Sequence, residues 1–197
     1  MAETIETRPF PPFLPKKATV MIMGTFPPEQ SKRAMEFHYP NFQNDMWRVF
    51  GLVFFDEKDH FRNGEEKAMD PEKIKAFLSE AGIASCPTVL KAIREKGNAS
   101  DAFLKVVEPV PLADVLEQIP DCKHIGTTGG KATEILLSLL PEKVKLPKTG
   151  ETIPFVFNGR ELTLTRLPST SRAYPLSLPK KAEAYKNFFK ACGLKTK

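Results

Sequence analysis

Two loops of this chain carry residue types that could do chemistry. The first lies within residues 24–47 and combines aromatic rings, prolines and asparagine amides. The second reads Leu167-Pro168-Ser169-Thr170-Ser171-Arg172, and its three hydroxyls and one guanidinium suit contacts with phosphate oxygens. Each loop follows an apolar run typical of a buried strand. Ligands of open α/β sheets bind where strands end, so the two loops are expected to meet at one cleft. The alternative for the second loop is a simple connection.

Charge is spread unevenly along the chain. The 197 residues carry a formal net charge of +5, but residues 166–197 hold eight Lys or Arg and one acid, Glu183. That segment is therefore +7, and residues 1–165 sum to −2. A basic C-terminal segment on a near-neutral body predicts a face for a polyanion, and a solvated helix surface is the alternative.

Composition limits the class of protein. With 41% apolar and 27% charged residues, the chain has the composition of an ordinary soluble globular protein. It has no run of about 18 apolar residues, which argues against a membrane span. Its N-terminus lacks an apolar signal segment, and a cytoplasmic location is expected. The cysteines Cys86, Cys122 and Cys192 are far apart and no Cys-x-x-Cys occurs, so neither zinc nor an iron–sulfur cluster is expected.

The periodicity of apolar residues predicts alternating strands and helices. Strands are predicted at 19–23, 83–86, 122–127, 153–157 and 162–166, the last two forming a hairpin. Helices are predicted from Asn44, over 71–81, over 87–97, over 112–119, after Gly130 and around Tyr185. This order predicts an α/β fold with helices on both faces of a mainly parallel sheet. Residues 1–17 are predicted to be an extended arm and residues 18–197 a single domain.

Taken together, the motifs resemble the uracil-DNA glycosylase superfamily. The nearest similarity is to its hypoxanthine/uracil-DNA glycosylase branch. Hallmarks of that branch are a Gly-Thr/Ser-Phe-Pro strand end, an aromatic-rich loop ending in Asn-x-aromatic-Trp, and a late Leu-Pro-Ser-Thr-Ser. The corresponding stretches here are Gly24-Thr25-Phe26-Pro27, residues 37–47 and residues 167–171. Weaker landmarks lie at 82–84 and 129–132, so the resemblance spans about residues 18–192.

The resemblance implies a three-layer α/β/α sandwich and a monofunctional DNA glycosylase that works without metal or cofactor. Such an enzyme flips a deaminated base, uracil or hypoxanthine, out of DNA and hydrolyses its N-glycosidic bond in base excision repair. The sugar becomes oxocarbenium-like while negative charge grows on the departing base. A polar group must therefore place the water, and donors must meet the base oxygens. The expected partner is DNA containing a damaged base, and the protein is expected to be a monomer.

The resemblance also implies roles for particular residues. Asn44 corresponds to the asparagine with a catalytic role in that branch, and it is also a good N-cap for the next helix. Asn41 competes for the role, and His38 is either an electrophile toward a base oxygen or structural. The expected substrate-binding residues, one of which stacks on the flipped base, are Gly24, Thr25, Phe26, Phe37 and Tyr39. The expected DNA-binding residues are Pro168, Ser169, Thr170, Ser171 and Arg172.

Three departures from the branch pattern leave an alternative open. Phe26 stands where many members of the superfamily have Asp or Asn, and a phenyl ring cannot activate water. The aromatic loop is longer, so Asn41 competes with Asn44, and Arg172 stands where a small residue or proline is usual. The alternative is a catalytically inactive nucleic-acid-binding relative with the same fold. An unrelated nucleotide-binding protein is disfavoured because the chain lacks Gly-x-Gly-x-x-Gly and a phosphate-loop lysine motif.

Overall fold

The computed structural model of the protein describes residues 3–95 and 103–197. The strands in these residues are β1 (Glu6–Thr7), β2 (Val20–Met23), β3 (Ile83–Ser85), β4 (Val89–Arg94), β5 (Leu104–Pro109), β6 (His124–Thr128), β7 (Thr152–Phe157) and β8 (Arg160–Leu167). The helices are α1 (Met46–Phe55), α2 (Pro71–Ala81), α3 (Leu112–Glu117), α4 (Gly130–Ser138) and α5 (Leu178–Ala191), with a short 3-10 turn at Gln30–Lys32. The predicted α/β class is confirmed.

The larger sheet has five strands in the order β3-β2-β6-β8-β7. β3, β2, β6 and β8 pair in parallel, and β7 pairs antiparallel with β8 as the predicted hairpin. The sheet is therefore mainly parallel, as predicted. Because β2 and β8 flank β6, their carboxyl ends lie at the same edge of the sheet, on either side of one strand. The two loops with candidate chemistry begin at this edge, after Met23 and after Leu167.

Alternate residues of β2 belong to two apolar clusters. Val20 and Ile22 pack with buried residues of α1, α2 and α5. Met21 and Met23 pack with buried residues of α3 and α4. Because successive side chains of a strand point to opposite faces, the two clusters mean that helices flank the sheet. The finer description, a sandwich of three layers, stays a prediction.

Helix α2 has the ends that the sequence predicts. Asp70 Oδ1 accepts hydrogen bonds from the backbone N–H groups of Glu72 and Lys73 at 3.1 and 3.2 Å, and Pro71 occupies the first helical position. Gly82 ends the helix with a φ of 74°, in the left-handed region. The chain then enters β3, whose last residue, Ser85, reaches the sheet edge where the two loops begin.

The helix predicted over 87–97 is wrong, because Val89–Arg94 form strand β4. β4 lies between β1 and β5 in a separate three-stranded antiparallel sheet. Register shifts around Lys91 interrupt the alternation of side chains along the strand. The buried residues are consequently Val89, Ala92 and Ile93, whose spacing imitates one face of a helix. The predicted end of that helix, Gly97, lies outside the described residues.

The N-terminal arm makes strand contacts with the rest of the chain. Glu6 of β1 pairs with Ala92 of β4, and Phe13 and Ser85 exchange two backbone hydrogen bonds of 2.9 Å. The division into an arm of residues 1–17 and a domain of residues 18–197 stays a prediction. In the described part of the chain, no helix combines the length and the apolar character needed to cross a bilayer.

Candidate functional site

A cavity of about 680 Å³ opens at the sheet edge where β2, β6 and β8 end. The loop after β2 and the loop after β8 both line it, together with Ser85 of β3 and Thr128 of β6. The structure therefore brings the two predicted loops to one cleft. The predicted site residues that line the cavity are Gly24, Thr25, Phe26, His38, Tyr39, Asn41, Asn44, Ser169, Thr170, Ser171 and Arg172.

Phe37 and Pro168, by contrast, are not among the lining residues. Phe37 is 4% exposed, and its ring packs in the core at 5.5 Å from Phe13 and 6.1 Å from Trp47. It has no free face on which a base could stack. Pro168 is buried, and its carbonyl accepts a hydrogen bond from the Tyr185 hydroxyl at 2.8 Å. Pro168 thus fixes the start of the loop after β8, called the late loop below, and does not face the cavity.

The first loop brings Tyr39 close to Gly24. A Cβ atom at position 24 would lie 2.8 Å from the Tyr39 hydroxyl oxygen, so glycine is required while the ring keeps this position. Tyr39 has a φ of 54°, and its ring packs edge-on against Trp47 at 5.9 Å. Its hydroxyl lies 3.4 Å from Thr128 Oγ1 at the end of β6. Among the predicted aromatic residues, Tyr39 and Phe26 are the two that line the cavity.

Both asparagines use their amide oxygens in local turns. Asn44 Oδ1 accepts from the backbone N–H of Met46 at 2.9 Å, and Asn41 Oδ1 accepts from that of Gln43 at 3.0 Å. Helix α1 begins at Met46 with Asp45 at the N-cap, so the helix starts two residues after Asn44, whose amide oxygen accepts from the first helical N–H. These bonds fix the orientation of both amides beside the cavity.

His38 is buried in the cavity wall with both ring nitrogens engaged. Nδ1 lies 2.7 Å from Ser85 Oγ, and Nε2 lies 2.8 Å from the carbonyl oxygen of Pro11 in the arm. Burial lowers the pKa of His38 to about 4, and the Pro11 carbonyl only partly opposes this effect. The ring is therefore neutral at pH 7. In this geometry neither nitrogen is available to the oxygen of a base.

A group of four charged residues, the Asp45 cluster, joins the two loops; Asp45, Arg48 and Lys181 are buried and Arg172 is exposed. It consists of Asp45, Arg48, Arg172 and Lys181. Lys181 Nζ lies 3.2 Å from Asp45 Oδ2 and donates to the Ser171 carbonyl at 2.9 Å. The nearest guanidinium nitrogens of Arg172 and Arg48 lie 3.6 and 3.7 Å from Asp45 Oδ1. The Asp45 backbone N–H also donates to the Thr170 carbonyl at 2.9 Å. The cluster thus holds the late loop against the start of α1.

The Asp45 cluster has three cations and one carboxylate, so its net charge is positive. The sequence analysis did not predict this cluster. Burial, with repulsion from Arg172, lowers the pKa of Arg48, and Asp45 opposes both effects. Asp45 and Lys181 are 136 residues apart in the chain, so no local pattern connects them. One signal was present: Lys181 precedes Tyr185 and Phe188 by four and seven residues, on the apolar face of α5. A lysine in an apolar stripe is rarely buried without a partner.

The sequence also failed to place an arm residue, Phe10, in the cavity wall. Among the described residues that line the cavity, the charged side chains are Lys32 and Arg172, and both are positive. The Arg172 side chain is 55% exposed. Such an opening suits an anionic backbone. Within the residues that the structure describes, no group of three His, Cys, Asp or Glu is placed to hold a metal ion.

Comparison with known proteins establishes the fold. No protein-family model matches the chain, and no curated protein matches it. Among solved structures, the chain is similar to a solution NMR structure from Methanosarcina acetivorans described as a "putative Uracil DNA glycosylase". The TM-score is 0.62 at 20% sequence identity, and the match covers 96% of this chain and 99% of that chain. At this identity the similarity establishes a shared fold and leaves the reaction to be argued from the site.

Proposed function

We propose that this protein is a monofunctional DNA glycosylase that flips a deaminated base, uracil or hypoxanthine, out of DNA and hydrolyses its N-glycosidic bond. One observation carries the proposal: the loops after β2 and β8 converge on one cavity, and residues of both motifs line it. The name given to the Methanosarcina acetivorans structure, which shares the fold, supports the same reaction. The assignment of the chain to the hypoxanthine/uracil-DNA glycosylase branch is part of this proposal, and it is supported by the sequence motifs.

The cavity is proposed to receive the extruded nucleotide. The glycosidic bond cannot be reached inside the base stack, so the enzyme must flip the nucleotide out of the duplex. The cavity volume of about 680 Å³ lies within the usual range of ligand sites. Tyr39 and Phe26 line it and supply aromatic surface on which an unpaired base can stack. Gly24 permits this position of Tyr39, because any side chain there would strike the hydroxyl.

Asn44 is proposed to position the attacking water. Its hydrogen bond to Met46 fixes the amide, and the amide hydrogens and the second lone pair of Oδ1 remain for a water molecule. An amide is a poor base, so its contribution comes from orientation. Stabilisation of the charge that develops on the departing base must supply much of the remaining rate. Asn41 is the competing residue for the same water.

The late loop is proposed to bind the phosphates beside the flipped nucleotide. The hydroxyl oxygens of Ser169 and Ser171 accept from the backbone N–H groups of Ser171 and Ala173, so their hydroxyl hydrogens can be donated to phosphate. Thr170 is 2% exposed, and Arg172 offers a guanidinium. The Asp45 cluster supports this loop from behind through the carbonyls of Thr170 and Ser171. Extrusion costs a few kcal/mol, which contacts of this kind must offset.

Further features belong to the same proposal. We infer a three-layer α/β/α sandwich, supported by the two apolar clusters that take alternate residues of β2. We also infer a cytoplasmic monomer that needs neither metal nor cofactor. Size-exclusion chromatography with light scattering tests the monomer, and activity in the presence of EDTA tests the independence from metal.

A cleavage panel tests the reaction. Labelled oligonucleotides, single- and double-stranded, each carry one deaminated base and are incubated with the protein. The expected result is release of the base and an abasic site, with strand cleavage only after alkali. Strand breaks without alkali, or activity that requires added metal, would contradict a metal-free monofunctional glycosylase.

A second candidate function is a catalytically inactive DNA-binding relative. The observation that favours it is Phe26, which lines the cavity where many superfamily members have a side chain able to act on water. The same panel separates the two functions when binding is measured alongside cleavage. Tight binding to lesion-containing DNA with no release of any base would favour the inactive relative.

A further inference from the structure

The hydrogen positions in the wall of the cavity are fixed by a carbonyl of the arm. His38 Nε2 lies 2.8 Å from the Pro11 carbonyl oxygen, which can only accept a hydrogen bond. Nε2 must therefore carry the hydrogen, because two lone pairs would otherwise face each other at this distance. The ring is neutral at pH 7, so Nδ1 has no hydrogen and acts as an acceptor.

This arrangement determines whether the Ser85 hydroxyl donates or accepts a hydrogen bond in the cavity. Ser85 Oγ lies 2.7 Å from His38 Nδ1, so the hydroxyl hydrogen of Ser85 is donated to the imidazole. A serine hydroxyl has one hydrogen and two acceptor lone pairs. Ser85 is 3% exposed, and it lines the cavity at the end of β3. Toward a ligand in the cavity, Ser85 can therefore accept a hydrogen bond and cannot donate one.

We propose that Ser85 reads the deaminated state of the base by accepting a hydrogen bond from its ring N–H. Deamination of cytosine or adenine replaces an exocyclic amine by a carbonyl and places a hydrogen on the neighbouring ring nitrogen, N3 of uracil or N1 of hypoxanthine. Cytosine and adenine present a lone pair at the same atom, which would face a lone pair of Ser85. This inference rests on the proposed glycosylase function and assigns a specificity-determining residue to it, with His38 and Pro11 as its positioning groups.

The same pair of side chains could instead be a nucleophile and its general base, but the energetics argue against it. A general base works best when its pKa lies near the working pH. The pKa of His38 is about 4, which leaves the imidazole a weak base at neutral pH. The hydrogen bond from Ser85 to His38 therefore serves to orient the hydroxyl.

The expected effect is the loss of one buried hydrogen bond between protein and base. Ser85→Ala should lower single-turnover release of uracil and hypoxanthine by about 10- to 100-fold, the range of such a bond in a closed site. Binding to DNA with a tetrahydrofuran abasic analogue, which has no base, should be unchanged. His38→Phe should give a similar loss, and the double variant should lose no more than either single variant, because the two residues act through one bond.

A matched control exists elsewhere in the fold. His124 Nδ1 lies 2.8 Å from Thr163 Oγ1, a pair of the same chemistry whose residues do not line this cavity. His124→Phe should leave the release rates unchanged. Nitrogen-15 NMR of wild-type protein provides a readout independent of activity, because it shows which imidazole nitrogen of His38 carries the hydrogen. The expected form is hydrogen on Nε2 alone.

The outcomes separate this inference from the proposed function. If wild-type protein releases no deaminated base, the glycosylase proposal fails and the inference fails with it. If wild-type protein is active and Ser85→Ala retains the full rate on every base, Ser85 does not read the base, while the glycosylase proposal stands. Hydrogen on Nδ1 of His38 would overturn the inference whatever the rates.

Discussion

Asn44 and Asn41 make the same local hydrogen bond, yet they are expected to differ in their effect on catalysis. Each amide oxygen accepts from the backbone N–H two residues ahead, and a typical hydrogen bond contributes about 1 kcal/mol to stability. Asn44→Ala should also lower single-turnover base release by roughly 10²-fold or more, the scale of losing a positioned polar group. Asn41→Ala is the matched control. An inactive Asn41→Ala protein beside an active Asn44→Ala protein would reverse the assignment.

The contact between Gly24 and Tyr39 leads to a prediction of rescue. Gly24→Ala places a Cβ 2.8 Å from the Tyr39 hydroxyl oxygen and 3.2 Å from Thr128 Oγ1. The ring must move out of position, so base release should fall, with a stability loss of about 1–3 kcal/mol from overpacking. Tyr39→Phe removes the atom in conflict, and the double variant should be more active and more stable than Gly24→Ala alone. Cleavage rates and thermal melting measure both effects, and a double variant no better than Gly24→Ala would refute the conflict.

His38 makes stability depend on pH in a definite direction. Burial lowers its pKa from 6.5 to about 4 in the folded protein, so between these values the unfolded chain binds the proton more readily. The contribution of His38 to the free energy of unfolding is constant above about pH 6.5. As the pH falls from 6.5, this contribution becomes destabilising, by roughly 3 kcal/mol at pH 4 and below. Urea unfolding of wild-type protein and His38→Phe at both ends of this range measures it. On going from pH 6.5 to pH 4, wild-type protein should lose about 3 kcal/mol more stability than the His38→Phe variant. If the two proteins differ in free energy of unfolding by the same amount at both pH values, His38 is not a buried neutral group.

At the scale of elements, the sequence predicted best where the determinants are local. The ends of α2 follow from Asp70, Pro71 and Gly82, which act within one turn of the helix. Strand β4 was predicted as a helix because its burial pattern depends on irregular pairing with β5, a strand that lies beyond it in the sequence. A register shift of this kind cannot be read from the strand alone.

The same distinction explains what was predicted of the site. The convergence of the two loops follows from strand order, because both strands end at the same edge of a parallel sheet. Neighbouring aromatics in one loop, however, can face the core or the cavity, as Phe37 and Tyr39 do. The contacts of Asp45 with Lys181 and of His38 with Ser85 join residues far apart in the chain. Such contacts depend on the completed fold.

The Asp45 cluster should contribute to stability as well as to the position of the late loop. Lys181 is 1% exposed, and Lys181→Met removes the cation closest to the Asp45 carboxylate. Breaking a buried ion pair by removing one partner costs about 3–5 kcal/mol, and the nearby guanidinium groups of Arg48 and Arg172 place the expected loss near the lower value. Urea unfolding measures this loss.

Lys180→Met is the matched control for this prediction, because Lys180 is the exposed neighbour of Lys181 on the same helix. It should change stability by less than about 0.5 kcal/mol. The double variant Asp45→Asn/Lys181→Met should be less stable than Lys181→Met alone, because Asp45 is the carboxylate that opposes the repulsion between Arg48 and Arg172. Equal stability of the Lys181→Met and Lys180→Met proteins would show that the ion pair makes no net contribution.

In the whole molecule, three separate parts of the chain meet at the cavity. Phe10 comes from the arm, Tyr39 and Asn44 from the loop after β2, and Arg172 from the loop after β8. The basic C-terminal segment does not act as one uniform face, because Lys181 is buried in the Asp45 cluster. Among the described residues that line the cavity, the charged side chains are Lys32 and Arg172, which belong to different loops.

The salt dependence of DNA binding tests these two charges. Each phosphate neutralised by a protein cation adds about 0.9 to the magnitude of the slope of log K against log salt concentration for duplex DNA. Arg172→Gln and Lys32→Gln should each weaken binding and flatten this slope by about one unit. Glutamine is chosen because a glutamate at position 172 would place a second carboxylate beside Asp45, whose Oδ1 lies 3.6 Å from the Arg172 guanidinium. Fluorescence anisotropy with a lesion-containing duplex over a series of salt concentrations gives both quantities.

Lys145→Gln provides the control for net charge, because Lys145 is exposed and does not line the cavity. It should leave the salt slope unchanged, whereas a general effect of net charge would shift all three variants alike. The Arg172→Gln and Lys32→Gln changes should add in the double variant, since the two residues lie on different loops. A folded Arg172→Gln protein with the affinity and slope of the wild type would remove the late loop from the DNA interface. The remaining case for DNA binding would then rest on Lys32 and the loop after β2.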